Sequence, residues 1–186
     1  MSSIIFIDGT SCIGKSTIAS ALKKKLNNYA VKYYDSDVLY DQYKREVIQN
    51  LSNDNDITKC LEMSVASYQN PHFISWLKSI IVSESDKYET LIVSITLASD
   101  CARALLNDDF VQSSKSVHVI LDMNEELIAQ RIDESGRKEE QRIFAESQLR
   151  YVPSRLKKYY PNAFWIDMGN MKPNEIVDII IQKLNA

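Results

Sequence analysis

The chain has 186 residues, 45% hydrophobic and 25% charged, which is enough for one globular domain (1–186) with a single core and no required disulfides or structural metal. Its 22 Lys plus Arg stand against 25 Asp plus Glu, a net charge of -3 that argues against a nucleic-acid coat or a membrane-surface protein. Cys12, Cys60 and Cys101 are far apart, without Cys-x-x-Cys spacing and with only two histidines in the chain, so no zinc site is expected and a reducing cytoplasm suits them.

The first element is a strand, Ile4 to Ile7, whose apolar run stops at Asp8 and follows no basic leader, so neither export nor a membrane span is expected. Gly9-Thr10-Ser11-Cys12-Ile13-Gly14-Lys15-Ser16 then fits the phosphate-binding pattern Gly-x4-Gly-Lys-[Ser/Thr], with Thr17 next. A strand leads in, and a helix with a stripe of Ile18, Ala19, Leu22 and Leu26 leads out. In that context successive backbone amides wrap a phosphate, Lys15 supplies a point charge, and the Ser16 hydroxyl is placed for magnesium. Thr10, Ser11, Cys12 and Ile13 complete the expected ATP-binding loop. An oxidisable Cys12 there is a further reading, although its backbone role needs no thiol.

A second strand, Val31 to Tyr34, runs into Asp35-Ser36-Asp37 at the end where a parallel sheet presents its ligands. One of these carboxylates can orient or deprotonate an acceptor hydroxyl, Asp37 first and Asp35 second; capping the following helix is the competing use. Gln49 to Asp56 is rich in Asn and Asp and reads as a loop. From about 38 to 88 the chain should form a helical acceptor side, with Tyr40, Tyr68, Gln69, Phe73 and Arg103 as candidate acceptor contacts. Core packing is the alternative for each aromatic there, Trp76 included.

A third strand, Leu91 to Ile95, is followed by Asp100, and a fourth, Val117 to Leu121, by Asn124-Glu125-Glu126, a capped helix start that leads to Arg131. The basic run Ser135-Gly136-Arg137-Lys138-Glu139-Glu140-Gln141-Arg142 comes next. Phosphoryl transfer spreads negative charge over equatorial oxygens, and positioned arginines stabilise it, so Arg131, Arg137 and Arg142 are catalytic candidates; a solvated helix of Arg and Glu pairs is the alternative. His72 and His118 belong to no catalytic constellation and read as structural. A fifth strand, Ala163 to Asp167, and a helix opened by Pro173 with Ile176, Val177, Ile180, Ile181 and Leu184 on one face end the chain. The five short apolar strands alternating with amphipathic helices predict an α/β three-layer P-loop NTPase fold, its mostly parallel sheet flanked by helices.

No Asn-Lys-x-Asp sequence follows the late strands, which speaks against a guanine-reading switch. On Ile4 to Thr17, on Val117 to Asp122 with the helix bearing Arg131, and on the Gly-Arg-Lys-Glu-Glu-Gln run, the chain resembles the nucleoside and nucleotide kinases, such as deoxynucleoside and thymidylate kinases. The resemblance implies a short lid at about 131–144 and an ATP- and magnesium-dependent phosphotransferase whose partner is a small nucleoside or nucleotide, without nucleic acid or membrane; a homodimer is compatible with it. It also implies an acid followed by arginine after the third strand, where this chain has Ser94 and Ile95, unless Asp100 and Arg103 supply that pair from the next turn. Two rivals stand beside it: a kinase for another hydroxyl, on a sugar, a small acid or a nucleic-acid end, which suits Asp35-Ser36-Asp37, and a nucleotide-binding regulator without transferase activity.

Overall fold

The computed structural model describes residues 2–26, 30–50, 65–107, 111 and 115–185, with 48–50 described for backbone only. In chain order the strands are β1 (Ser3–Asp8), β2 (Val31–Asp35), β3 (Thr90–Ser94), β4 (Lys115–Asp122) and β5 (Phe164–Asp167). The helices are α1 (Lys15–Lys25), α2 (Ser36–Asn50), α3 (Pro71–Ser85), α4 (Asp100–Leu106), α5 (Glu125–Glu134), α6 (Glu139–Tyr159) and α7 (Pro173–Asn185), with a 3-10 turn at Ser67–Gln69. All pairings are parallel in the order β2-β3-β1-β4-β5, so β1 is central and delivers the phosphate loop to the middle of the sheet edge. No helix among the described residues is long and apolar enough to cross a membrane.

The central strands are buried on both faces, and side-chain alternation divides the core in two. Ile4, Phe6, Leu91, Val93 and Ile120 face α2, α3, α4 and α6 through Leu39, Phe73, Leu77, Ile81, Ala102 and Val152. Ile5, Ile7, Ile92, Val119 and Leu121 face α1, α5 and α7 through Ile18, Leu22, Ile128, Ile132, Ile176 and Ile180. Each such side chain, wholly removed from water, contributes roughly 1.5–3 kcal/mol, so these layers hold the loops at the sheet edge in place. Asn124 caps α5 by accepting from the Glu126 amide at 2.8 Å, as its sequence position predicts. Asn70 caps α3 in the same way, accepting from the His72 and Phe73 amides at 3.0 Å.

One local expectation changes. Gln49 and Asn50, read as loop, close α2 instead, because a helix once nucleated propagates cooperatively along the backbone. The remainder of that polar stretch, 51–56, and Cys60 lie outside the described residues. The segment 131–144 is the end of α5, a turn at Gly136 with φ 63°, and the first turn of α6. Cys12 and Cys101 are free thiols.

Candidate active site

The site begins with a loop that only this backbone permits. Gly9 has φ 143°, and a Cβ there would lie 2.9 Å from the Leu121 carbonyl oxygen and 3.0 Å from Ile13 Cγ2. Gly14, at φ 108°, precedes α1 without a side-chain cap, which leaves the first helical amides free of side-chain acceptors and aimed as an anion site. Cys12 adopts a left-handed φ of 62°, the single non-glycine residue of positive φ among those described. The Lys15 ammonium donates to the Gly9 and Thr10 carbonyls, both at 2.9 Å. Burial lowers its pKa, while Asp37, Asp8 and Asp35 pull in the opposite direction.

Beneath the loop sits a carboxylate that sequence reasoning passed over. Asp8 is fully buried and accepts from the Gly9 amide at 2.6 Å and the Leu97 amide at 3.1 Å, with His118 Nε2 at 3.0 Å. Thr96 Oγ1 donates to the Gly9 carbonyl at 2.9 Å, so the chain leaving β3 is tied to the loop leaving β1. Asp8 directly precedes the motif, but its partners come from residues 97 and 118, and nothing local announces them.

Asp35 and Asp37 have separate surroundings. Asp35 Oδ2 accepts from Ser16 Oγ at 2.5 Å and from the Tyr33 hydroxyl at 2.9 Å, and its Oδ1 accepts from the Asp37 amide at 3.0 Å. Desolvation alone would raise its pKa, but the Ser16, Tyr33 and backbone hydrogen bonds outweigh that and hold it below the ordinary carboxylate value. Asp35 therefore caps α2, one of the two readings of this residue, and at the same time faces the loop hydroxyl. Asp37 opens into the cleft, where desolvation by the surrounding walls raises its pKa against the pull of Lys15 and Arg137.

At the third strand, Ser94 pairs in register with Asp35. Its hydroxyl lies 3.1 Å from the Tyr33 hydroxyl, whose proton goes to Asp35, so Ser94 donates into a Ser94–Tyr33–Asp35–Ser16 chain. The carboxylate beside Ser16 thus comes from β2, one strand over from where the resemblance places it. Asp100 and Arg103 do not replace the missing pair. They pair with each other at 3.5 Å, and Arg103 lies 4.5 Å over the Tyr159 ring; neither lines a cavity described below.

Two cavities meet here. One, of about 280 Å³, is lined by the phosphate loop, Asp35, Asp37, Ser94, Arg131 and Arg137. The other, of about 440 Å³, runs from Lys15, Asp37 and Arg137 to Tyr40, Tyr68, Phe144 and Gln148. Arg131 is fixed by a 3.1 Å hydrogen bond from Nη1 to the Ile13 carbonyl. Arg142 lines neither cavity and is surrounded by Asp133, Glu139 and Glu146 at 3.6, 3.1 and 3.8 Å, the solvated alternative for that residue. Phe73 is wholly buried in a ring cluster with Tyr40, Tyr43 and Trp76, and exposed Gln69 lines neither cavity. Tyr40 and Tyr68 do line the second cavity; Thr96, Lys44, Phe144 and Gln148, which no motif marks, join them.

Magnesium needs few protein ligands when phosphates and water complete its shell. The Ser16 hydroxyl and the ionised Asp35 carboxylate fit that requirement as one neutral and one anionic oxygen at the edge of the phosphate cavity. No cluster of three or more metal-ligating side chains exists among the described residues.

Residues 1–67 match the family model of adenylylsulphate kinase. No curated protein sequence matches the chain. Among solved structures, the tunicamycin resistance protein of Deinococcus radiodurans superposes with a TM-score of 0.67 at 16% identity, over 99% of this chain and 96% of that one. A gluconokinase from Sinorhizobium meliloti gives 0.62 at 16% identity, over 99% and 91%. Shikimate kinase from Aquifex aeolicus gives 0.51 at 22% identity, over 98% and 96%. The likeness is one of fold: a five-stranded parallel sheet between helices, as in P-loop kinases. None of these three is named as a nucleoside or nucleotide kinase, and the match therefore stands at the level of the P-loop kinase fold.

Proposed function

We propose that the protein transfers the γ-phosphate of ATP to a hydroxyl of a small polar molecule. The observation that carries this reading is the junction of the phosphate cavity and the second cavity at Lys15, Asp37 and Arg137. Two clefts that meet at a cation, a carboxylate and an arginine match the needs of an in-line transfer between two bound molecules.

The loop amides and Lys15 hold the triphosphate, and the acceptor occupies the second cavity. Ser16 and Asp35 would hold magnesium, whose charge would offset that of the phosphates. Asp37 takes the proton of the acceptor hydroxyl; its raised pKa makes it the better proton acceptor of the two aspartates, and the lowered pKa of Asp35 keeps that group anionic beside Ser16. The acceptor oxygen bonds to the γ-phosphorus as the bond to the bridging oxygen breaks, and ADP leaves. Arg131 and Arg137 stabilise the charge on the transferring group.

This chemistry favours a hydroxyl over a nucleoside monophosphate, whose phosphate is already ionised and gains nothing from a base. The names of the matched proteins, adenylylsulphate kinase, gluconokinase and shikimate kinase, support the same choice. A nucleoside remains the second reading, favoured by Tyr40, Tyr68 and Phe144 on the cavity wall, which offer faces for a base.

The test is ADP release from magnesium-ATP by wild type and Lys15→Ala against separate pools of sugars, hydroxy acids, adenylylsulphate, nucleosides and nucleoside monophosphates. Lys15-dependent turnover with a hydroxyl pool is expected. Turnover confined to monophosphates would overturn the role of Asp37, and ATP binding without turnover on any pool would leave a regulator.

A further inference from the structure

The inner end of the acceptor cavity carries a closed ring of three neutral polar side chains. Tyr68 comes from the 3-10 turn, and Gln148 and Tyr151 from successive turns of α6. The Tyr68 hydroxyl donates to Gln148 Oε1 at 2.8 Å, Gln148 Nε2 donates to the Tyr151 hydroxyl at 2.6 Å, and the two hydroxyls lie 2.8 Å apart. Because the Tyr68 proton is committed to Gln148, the last bond runs from Tyr151 to Tyr68, and every member of the ring donates once and accepts once. Turning the amide over reverses the direction of all three bonds without opening the ring.

In either direction the Gln148 amide keeps one N–H and one lone pair unused. Gln148 is 2% exposed and Tyr68 3%, both line the cavity, and no described residue takes that second N–H. A buried amide left half-used is costly unless something in the cavity completes it.

We propose that the Gln148 amide, held in place by Tyr68 and Tyr151, selects acceptors through an uncharged group that offers one donor and one acceptor. Sugars and polyols present such a group as adjacent hydroxyls, and nucleosides present it as a base edge. The inference rests on the reading of this cavity as the acceptor site.

A carboxylate or phosphate at this end would use the N–H but confront the amide oxygen and the tyrosine oxygens with negative charge. Among the described residues the cations that line this cavity are Lys15, Lys44 and Arg137, and none of them hydrogen-bonds to the ring. Lys15 and Arg137 border the junction with the phosphate cavity, Lys44 is engaged by Asp41 at 2.7 Å, and Arg155 donates to the Ala98 carbonyl and lies over the Tyr151 ring without lining the cavity. Burial and the bond to Tyr151 raise the pKa of Tyr68, so that hydroxyl stays protonated through the physiological range. An ammonium group fails in the opposite sense, since it offers no lone pair to the N–H.

The experiment pairs ligand-induced thermal shifts with ADP-release kinetics on the full chain, using sorbitol, glucose, uridine and adenosine as uncharged probes and gluconate and shikimate as acids. Gln148→Leu removes the amide. Tyr151→Phe removes only a hydroxyl that does not line the cavity, so it reports on positioning. Expected is a shift in Tm with at least one uncharged probe, lost in Gln148→Leu while the shift with magnesium-ATP persists, which separates lost recognition from misfolding. For the probe that turns over, Tyr151→Phe should raise the acceptor KM roughly tenfold with kcat changed less than threefold. The sugar arm and the nucleoside arm tell which source supplies the group. Uncharged probes that bind through Gln148 without turnover would sink the transferase reading and leave the ring inference standing. Acids that turn over equally in wild type and Gln148→Leu, or no binding by any uncharged probe, would overturn the ring inference and leave the transferase reading to its own test.

Discussion

The phosphate side and the acceptor side of the cleft share Lys15 and Asp37, yet they are built in opposite ways. The phosphate side is built around one continuous segment, Gly9 to Thr17, whose backbone amides any sequence of the right conformation would present, with Asp35, Ser94, Arg131 and Arg137 added from other elements. The acceptor side is assembled from α2, the 3-10 turn, the chain after β3 and α6, and works through side chains separated by up to about a hundred residues. A loop that binds one invariant chemical group can be local, whereas a pocket that discriminates among acceptors must surround them. Each side can therefore be damaged without the other, and the predictions use that separation.

The largest effect belongs to the shared cation. Lys15→Ala should lower turnover by at least a hundredfold, about 2.7 kcal/mol of transition-state stabilisation at 1.36 kcal/mol per tenfold. Steady-state ADP release measures it, and near-normal turnover would separate the loop from the chemistry. Asp37→Asn comes next, with turnover expected to fall by about a hundredfold while ATP affinity stays within a few-fold. Its pH dependence has a definite sign. The working form is the carboxylate and its pKa is raised, so wild-type turnover should fall as pH drops through that raised value. That acid limb should be absent from the Asn variant; equal losses in turnover and ATP affinity would instead assign Asp37 to the phosphate side.

Stability should divide the same two aspartates. The folded state holds the Asp35 carboxyl below its unfolded value, so this group stabilises above the unfolded pKa and loses its contribution as pH falls through the folded one. Asp35→Asn should lower Tm at pH 7 by a few degrees, with the difference closing as pH falls below the ordinary carboxylate range. Asp37 has the opposite sign: its raised pKa favours the fold at low pH and the contribution is lost as pH rises, so Asp37→Asn should raise Tm slightly at pH 7. Thermal melts across pH decide this, and a parallel response of the two variants would break the distinction. The smallest effect is at Cys12, where a left-handed L-residue costs roughly 1–2 kcal/mol and glycine gives back part of that through chain entropy. Cys12→Gly should gain roughly 0–1 kcal/mol in denaturant unfolding.

Much of the fold was legible because its signals are short-range. The runs at Ile4, Val31, Leu91, Val117 and Ala163 became the five strands with ends shifted by one or two residues, and Asn124 and Pro173 marked real helix starts. The lid arginines were legible only as a group. Arg131 and Arg137 reach the phosphate cavity, but Arg142, in the same basic run, turns to three acids on its own side of the cleft. Phe73 shows the same limit, since an aromatic in an acceptor-side segment looks alike whether it lines a pocket or fills the core, and α3 turns it inward.

The sequence by itself determined the order of strands and helices, the phosphate loop and its lysine, and the two aspartates after β2, because apolar periodicity, glycine conformations and capping act over a few residues. Only the tertiary structure decided that Ser94 supports Asp35 through Tyr33, that Asp8 meets Leu97 and His118 under the loop, and that Tyr68 closes a ring with Gln148 and Tyr151. Those contacts depend on which strands become neighbours and which helix faces turn inward, a result of packing the whole chain rather than of any segment within it.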